Sequence, residues 1–233
     1  MKYTGDKFVE LLADFAEKSS FQEFYRKHQE YYRQEIESAE RLIPVRDIWD
    51  WLEANFPKRH DAYRVVLSPL LRGTHNTFNY YDRSSDYSEV VMFIALPTIF
   101  RRQYTHPDTY KAIVSRMLFT EIDHNYVNPA TNEDRHLRRV ARCFNDLEKW
   151  NCRGGYRSPA LTFNEYMTWS TACLYVYDTY SEEVYDEFLE YTYALMEYRG
   201  FIRFEEFHEK MLALYTQREP DEGVYDLYPG ILR

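Results

Sequence analysis

Glycine is scarce in this chain of 233 residues, with only seven in all. That leaves few places for a backbone phosphate cradle. No G-x-S-x-G elbow, P-loop or dinucleotide fingerprint occurs either, which argues against nucleotide chemistry. Cysteine is limited to Cys143, Cys152 and Cys173, an odd number without paired metal-ligand spacing. Neither a disulfide framework nor a zinc knuckle is indicated, although a Cys143–Cys152 bridge stays open. Long apolar runs are missing: the longest, Val90 to Pro97, is far too short to cross a bilayer, and the N-terminus lacks the apolar segment of a signal peptide. The expected protein is soluble, and cytoplasmic unless an export leader has been removed. An excess of positive charge is also lacking. With 29 Lys and Arg against 38 Asp and Glu, the net charge is -9, which argues against a broad nucleic-acid footprint. The one basic run, Arg135 to Arg142, has His136, Leu137, Val140 and Ala141 at helical spacing and reads as a solvated helix face. Neither nucleic acid nor membrane is an expected partner.

What is abundant is aromatic side chains, 23 Tyr and 15 Phe, so much of the core and of any cleft must be aromatic. The length suits a single domain, residues 1–233, with a helical N-terminal part to residue 57 and a sheet plus helical core from 58 onward. In the first part, Asp6 to Lys18 places Phe8, Leu11, Leu12 and Phe15 on one stripe. Ser20 can cap a second helix through about Leu42, and Pro44 opens a third. β-branched runs predict strands over Tyr63 to Leu71 and Ser88 to Pro97, joined by a polar loop from Gly73 to Asp86. Helices are predicted beyond Pro107, over 108–126, 132–150, 162–180, 181–198 and 204–217. The fold class is therefore α+β, predominantly helical, with a small sheet packed beside the helix that follows residue 108.

That helix carries the most informative pattern. At about 100° per residue, Ile113, Val114 and Met117 define an apolar stripe that Glu121 and His124 continue, while Lys111, Arg116 and Asp123 are expected to point elsewhere. An inward carboxylate must be neutralised, hydrogen-bonded, or held near a cation or cavity. The plain alternative is a Glu121 satisfied by an Arg or a Tyr hydroxyl, with His124 donating to a carbonyl. Asn128-Pro129 is expected to end the helix, because proline cannot continue it.

The string Thr120-Glu121-Ile122-Asp123-His124-Asn125-Tyr126-Val127-Asn128-Pro129 resembles the H-E-x-x-H-x-x-x-N-P segment of an uncharacterised bacterial family of gluzincin-like zinc metallopeptidases. Ser20 to Tyr25 with Tyr31-Tyr32, Val66 to Leu71, and Asn164-Glu165 resemble the same family's N-terminal helices, its strand and loop before the catalytic helix, and its third-ligand helix. The resemblance implies a peptidase site in which two histidines one turn apart and a distant Glu hold zinc, and the intervening Glu is the base. Carried over, Glu121 matches the base, His124 the second histidine and Glu165 the third ligand. The first histidine is replaced by Thr120, whose hydroxyl is a poor zinc ligand. The motif here is a degenerate T-E-I-D-H.

Glu165 is the only charge from Ser158 to Tyr177; it reads as a ligand or as a charge favoured near a helix N-terminus. His75 can supply an imidazole from a second direction, or belong to an ordinary polar loop. Glu121-x-x-His124 and Glu205-x-x-His208 together match the inward pairs of di-iron bundles, while the plain reading of His208 is a boundary histidine on an amphipathic helix. The expectation is then a catalytic Glu121, metal-binding His124 and Glu165, and supporting Thr120, His75 and Asn128. Zinc is the expected cofactor, or is absent. The partner is a peptide or protein, as substrate of a zinc peptidase or as ligand of a catalytically silent relative.

Overall fold

The computed structural model describes residues 5–73, 75–97 and 106–233. The chain divides into two compact units, Met1–Arg41 and Leu42–Arg233. The first unit holds α1 (Gly5–Lys18), α2 (Phe21–Lys27) and nearly all of α3 (Gln29–Leu42). The single helix expected from Ser20 to Leu42 is broken at His28. There the His28 ring packs against Phe24 at 4.1 Å and donates from Nδ1 to the Phe24 carbonyl at 2.8 Å, an oxygen that also accepts from the His28 amide at 3.2 Å. Ser20 sits at φ 53° and makes no side-chain cap bond. The apolar stripe of α1, with Phe8, Leu11, Leu12 and Phe15, is exposed.

The second unit opens with α4 (Val45–Asn55), whose Ile48 and Leu52 are fully buried. Three strands follow: β1 (Ala62–Ser68), β2 (Asn76–Asp82) and β3 (Tyr87–Ala95). They form one sheet of order β1-β3-β2. β1 runs parallel to β3 with Val66 opposite Phe93, and β2 runs antiparallel to β3 with Thr77 opposite Met92. β3 is central and alternates as a half-buried strand should, with Val90, Met92 and Ile94 inward. Half of the polar loop expected from Gly73 to Asp86 is β2. An edge strand exposed along most of its length, including Phe78, Tyr80 and Tyr81, carries no apolar alternation to betray it.

Beyond residue 106 the chain is helical. α5 (Pro107–Thr131) starts with the His106 ring accepting from the Asp108 amide at 3.1 Å and Pro107 in the first turn. It does not stop at Asn128-Pro129 but runs through the proline to Thr131. Packing on nearly every face outweighs the lost bond: the positions from Ala112 to Thr120 are all buried. Pro129 cannot donate to Asn125 four residues earlier, and the buried His60 ring lies against the Asn125 backbone. The Asn125 side chain bonds the Thr77 hydroxyl at 2.9 Å, tying α5 to β2.

The single helix expected over 132–150 is two: α6 (Asp134–Cys143) and the short α7 (Leu147–Trp150). α6 buries His136 and Val140 and exposes Arg135, Arg138 and Arg142, the solvated face expected of the basic run. α8 (Pro159–Thr179) is capped by the Ser158 hydroxyl, which accepts from the Leu161 amide at 3.2 Å, and is buried from Thr162 to Val176. α9 (Glu182–Tyr198), α10 (Phe204–Thr216), a 3-10 turn (Val224–Leu227) and α11 (Tyr228–Ile231) complete the unit.

α5 packs on α4, α8, α9, β2 and β3, which makes it the central element. Around α8, Phe144, Phe163, Tyr166, Phe201, Phe204 and Phe207 form the aromatic core that the composition implies. All three cysteines are free thiols, so Cys143 and Cys152 are not bridged. No helix among the described residues is long and apolar enough to cross a membrane.

Candidate functional site

One face of α5, the start of β2 and parts of α8 and α9 enclose a cavity of about 630 Å3. All six residues singled out from sequence line it: Thr120, Glu121, His124 and Asn128 from α5, Glu165 from α8 and His75 ahead of β2. The His124 Nε2 lies 3.6 Å from Glu165 Oε1, and its Nδ1 stands 3.4 Å from both Asn128 Oδ1 and the Thr168 hydroxyl. Asn128 is thus a positioning residue for the imidazole and does not end the helix. Thr120 is buried and donates its hydroxyl to the Met117 carbonyl at 3.4 Å.

Glu165 is not held by a helix N-terminus, since α8 begins six residues earlier. Its partner is Arg199, which donates to Oε2 at 2.7 Å and to the Tyr156 hydroxyl at 2.8 Å. Burial pushes the Glu121 carboxyl up to about 7, with the negative charge of Glu165 adding to the effect. Asp123 was expected to point away from the interior. It is fully buried, and both its oxygens lack a hydrogen-bond partner. Burial raises its pKa well above the usual range; the neighbouring Thr168 opposes it, and the charges of Glu165 and Glu121 add smaller raising effects. His75 accepts at Nδ1 from the Ala95 amide at 3.3 Å, and burial, aided by the charge of Arg116, lowers its pKa to about 4.

The wheel also placed Arg116 outside, yet it is only 7% exposed and lines the cavity. Because α5 is enclosed by elements on several sides, it has no outer face at this level. The guanidinium lies 4.3 Å from the Trp169 ring centre and 5.9 Å from that of Tyr191. Arg199 also stacks on Trp169, at 4.6 Å. Four-residue spacing brings Arg116, Thr120 and His124 to one side of α5, although the wheel had turned Arg116 away from it. Nothing in the sequence marks Arg199, Tyr156 or Trp169 as their neighbours.

The donors present do not make up a zinc site of three protein ligands. His124 and Glu165 are close enough to share an ion. The Thr120 hydroxyl, however, is turned to a carbonyl, and Glu165 is already paired with Arg199. An imidazole that accepts at Nδ1, as His75 does, carries its proton on Nε2 when neutral and offers no second lone pair. Among the described residues no three His, Cys, Asp or Glu side chains gather as a metal-holding group.

The di-iron alternative fails on its second pair. Glu205 is exposed, while His208 is fully buried between the Ser170 hydroxyl at 2.7 Å and the Tyr185 hydroxyl at 2.9 Å. His208 is therefore a satisfied core histidine and not a boundary one.

Residues 3–233 match the family described as a domain of unknown function, DUF4932, and the chain belongs to that family. Neither a curated protein nor a solved structure matches the chain.

Proposed function

We propose that this member of the DUF4932 family is a metallopeptidase-like protein whose α5 pocket binds peptide without a resident zinc and without hydrolysing it. The observation that carries this reading is the Arg199–Glu165 ion pair at 2.7 Å. It engages one oxygen of the carboxylate that a metal would need and leaves Oε1 toward His124, while Thr120 stands where an imidazole would complete the set. The pocket instead offers hydrogen-bonding groups: a carboxyl at Glu121 that is half protonated near neutrality, the His124 ring, and the Asn76 and Thr77 end of β2. β2 is an edge strand of the sheet among the described residues, and the backbone of an edge strand suits an extended chain laid beside it, with side chains reaching the cavity.

A second reading, zinc-dependent peptide hydrolysis, is favoured by the 3.6 Å approach of His124 to Glu165 and by a Glu121 whose pKa suits a general base. Elemental analysis of protein purified without chelators separates the two. Binding without zinc predicts no stoichiometric metal, and predicts that Thr120→His, which places a second imidazole one turn from His124, raises zinc affinity by about tenfold or more. Near-stoichiometric zinc in the natural protein, with a peptidase activity abolished by Glu121→Gln, would overturn the proposal in favour of the enzyme.

A further inference from the structure

We propose that Arg116 is a carboxylate-recognition site at the inner wall of the α5 pocket, taking the carboxylate of a peptide C-terminus or of a small organic acid. The inference deepens the peptide-binding reading and rests on it.

Arg116 is a buried cation with no anionic partner. No carboxylate lies within ion-pair distance of it among the described residues, and its Nε has no hydrogen-bond partner. The stretches outside the described residues contain neither Asp nor Glu. The other cavity arginine, Arg199, is matched by Glu165. The charge of Arg116 is felt by its surroundings instead: it lowers the pKa of His75 and of the buried Cys173 thiol, in both cases against a background set mainly by burial. An uncompensated buried charge costs several kcal/mol; the aromatic faces of Trp169 and Tyr191 return about 0.5–2 kcal/mol, and Tyr191 adds a hydrogen bond but no counter-charge. The deficit is made good by an anion entering the cavity that Arg116 lines.

The charge count selects the kind of anion. One unmatched guanidinium balances one negative charge, and its planar fork fits a carboxylate with two parallel bonds. A phosphate dianion needs a second free cation, and Arg199 is already engaged. A cavity of about 630 Å3 accommodates a ligand the size of a dipeptide. Trp169, stacked on the guanidinium, provides an apolar wall beside the charged group.

Calorimetric titration of the full chain with four probes tests the assignment: the dipeptide Ala-Phe, its C-terminal amide, benzoate and inorganic phosphate. Ala-Phe is expected to bind about tenfold or more tightly than its amide, and Arg116→Met is expected to erase that difference. Benzoate binding alongside Ala-Phe supports a site for any small carboxylate; binding of Ala-Phe alone supports recognition of a peptide terminus. Acid and amide binding equally well would overturn the Arg116 assignment and leave the peptide pocket standing. No binding of either at millimolar concentration would overturn both, and phosphate binding more tightly than Ala-Phe would overturn the carboxylate choice. The acid–amide comparison uses the natural protein, so it does not depend on the variant folding.

Discussion

His208 gives a stability prediction that can be worked through from structure. Its ring is fully buried in α10, with Nδ1 against the Ser170 hydroxyl and Nε2 against the Tyr185 hydroxyl. A neutral imidazole has one donor and one acceptor, and hydroxyls can complement either tautomer. The neutral ring is satisfied, and the charged ring has no anion to meet. Burial accordingly lowers its pKa from 6.5 to about 3. Between those values the unfolded chain binds more protons than the folded one, so stability falls as pH drops below 6.5 and the loss levels off near 3. From pH 7 to pH 5 the loss is about 2 kcal/mol, at 1.36 kcal/mol per unit. Glu121 acts in the opposite sense over the same interval. With its carboxyl raised to about 7, the folded state binds the extra proton, and acidification returns about 2 kcal/mol. The natural protein conceals the two contributions from one another. His208→Gln removes only the first. In urea unfolding at pH 7 and pH 5, the variant's stability relative to the natural protein is expected to improve by about 2 kcal/mol on acidification. Parallel changes in the two proteins, or a His208 ring that titrates near 6.5 by NMR, would refute the reasoning.

Glu121→Gln makes the converse case: the variant should gain about 2 kcal/mol over the natural protein on going from pH 5 to pH 7, measured by the same unfolding curves, and an unchanged pH slope counts against a buried carboxyl there. At the other end of the unit, a Cβ on Gly223 would meet the Asn55 carbonyl oxygen at 2.7 Å, where Asn55 Oδ1 also accepts from the Val224 amide at 3.3 Å. Gly223→Ala is expected to cost about 1–3 kcal/mol by forcing this close approach apart; thermal unfolding at the natural midpoint would speak against it.

Helices that bury one face were legible because their apolar spacing is written into local sequence, as in α4 and α6. Elements that depart from that rule were not. α5 is buried almost all round, so its periodicity carries little direction, and Arg116 and Asp123 were assigned to an outer face that does not exist. β2 is exposed along most of its length and was read as loop for the opposite reason. Pro129 shows tertiary packing overriding a local breaker. The division at Arg41 leaves no trace in composition, because α3 continues across it as an unbroken helix.

The same logic explains which half of the site could be read. Glu121 and His124 stood out because a carboxylate or imidazole on an apolar stripe demands a partner, and Glu165 because it is the lone charge from Ser158 to Tyr177 and matches the third ligand that the resemblance implies. The demand identifies the residue without identifying what meets it. For Glu165 the answer is Arg199, thirty-four positions along the chain, and the peptide segments between them give no hint of it. Once Arg199 is assigned to Glu165, the charges no longer balance at the other wall, where Arg116 lies against aromatic rings and meets no carboxylate at ion-pair distance among the described residues. An acid that appeared to call for a metal is thus matched from within the chain. The group still lacking its counterpart is a cation, which directs the search for a ligand toward an anion and away from zinc.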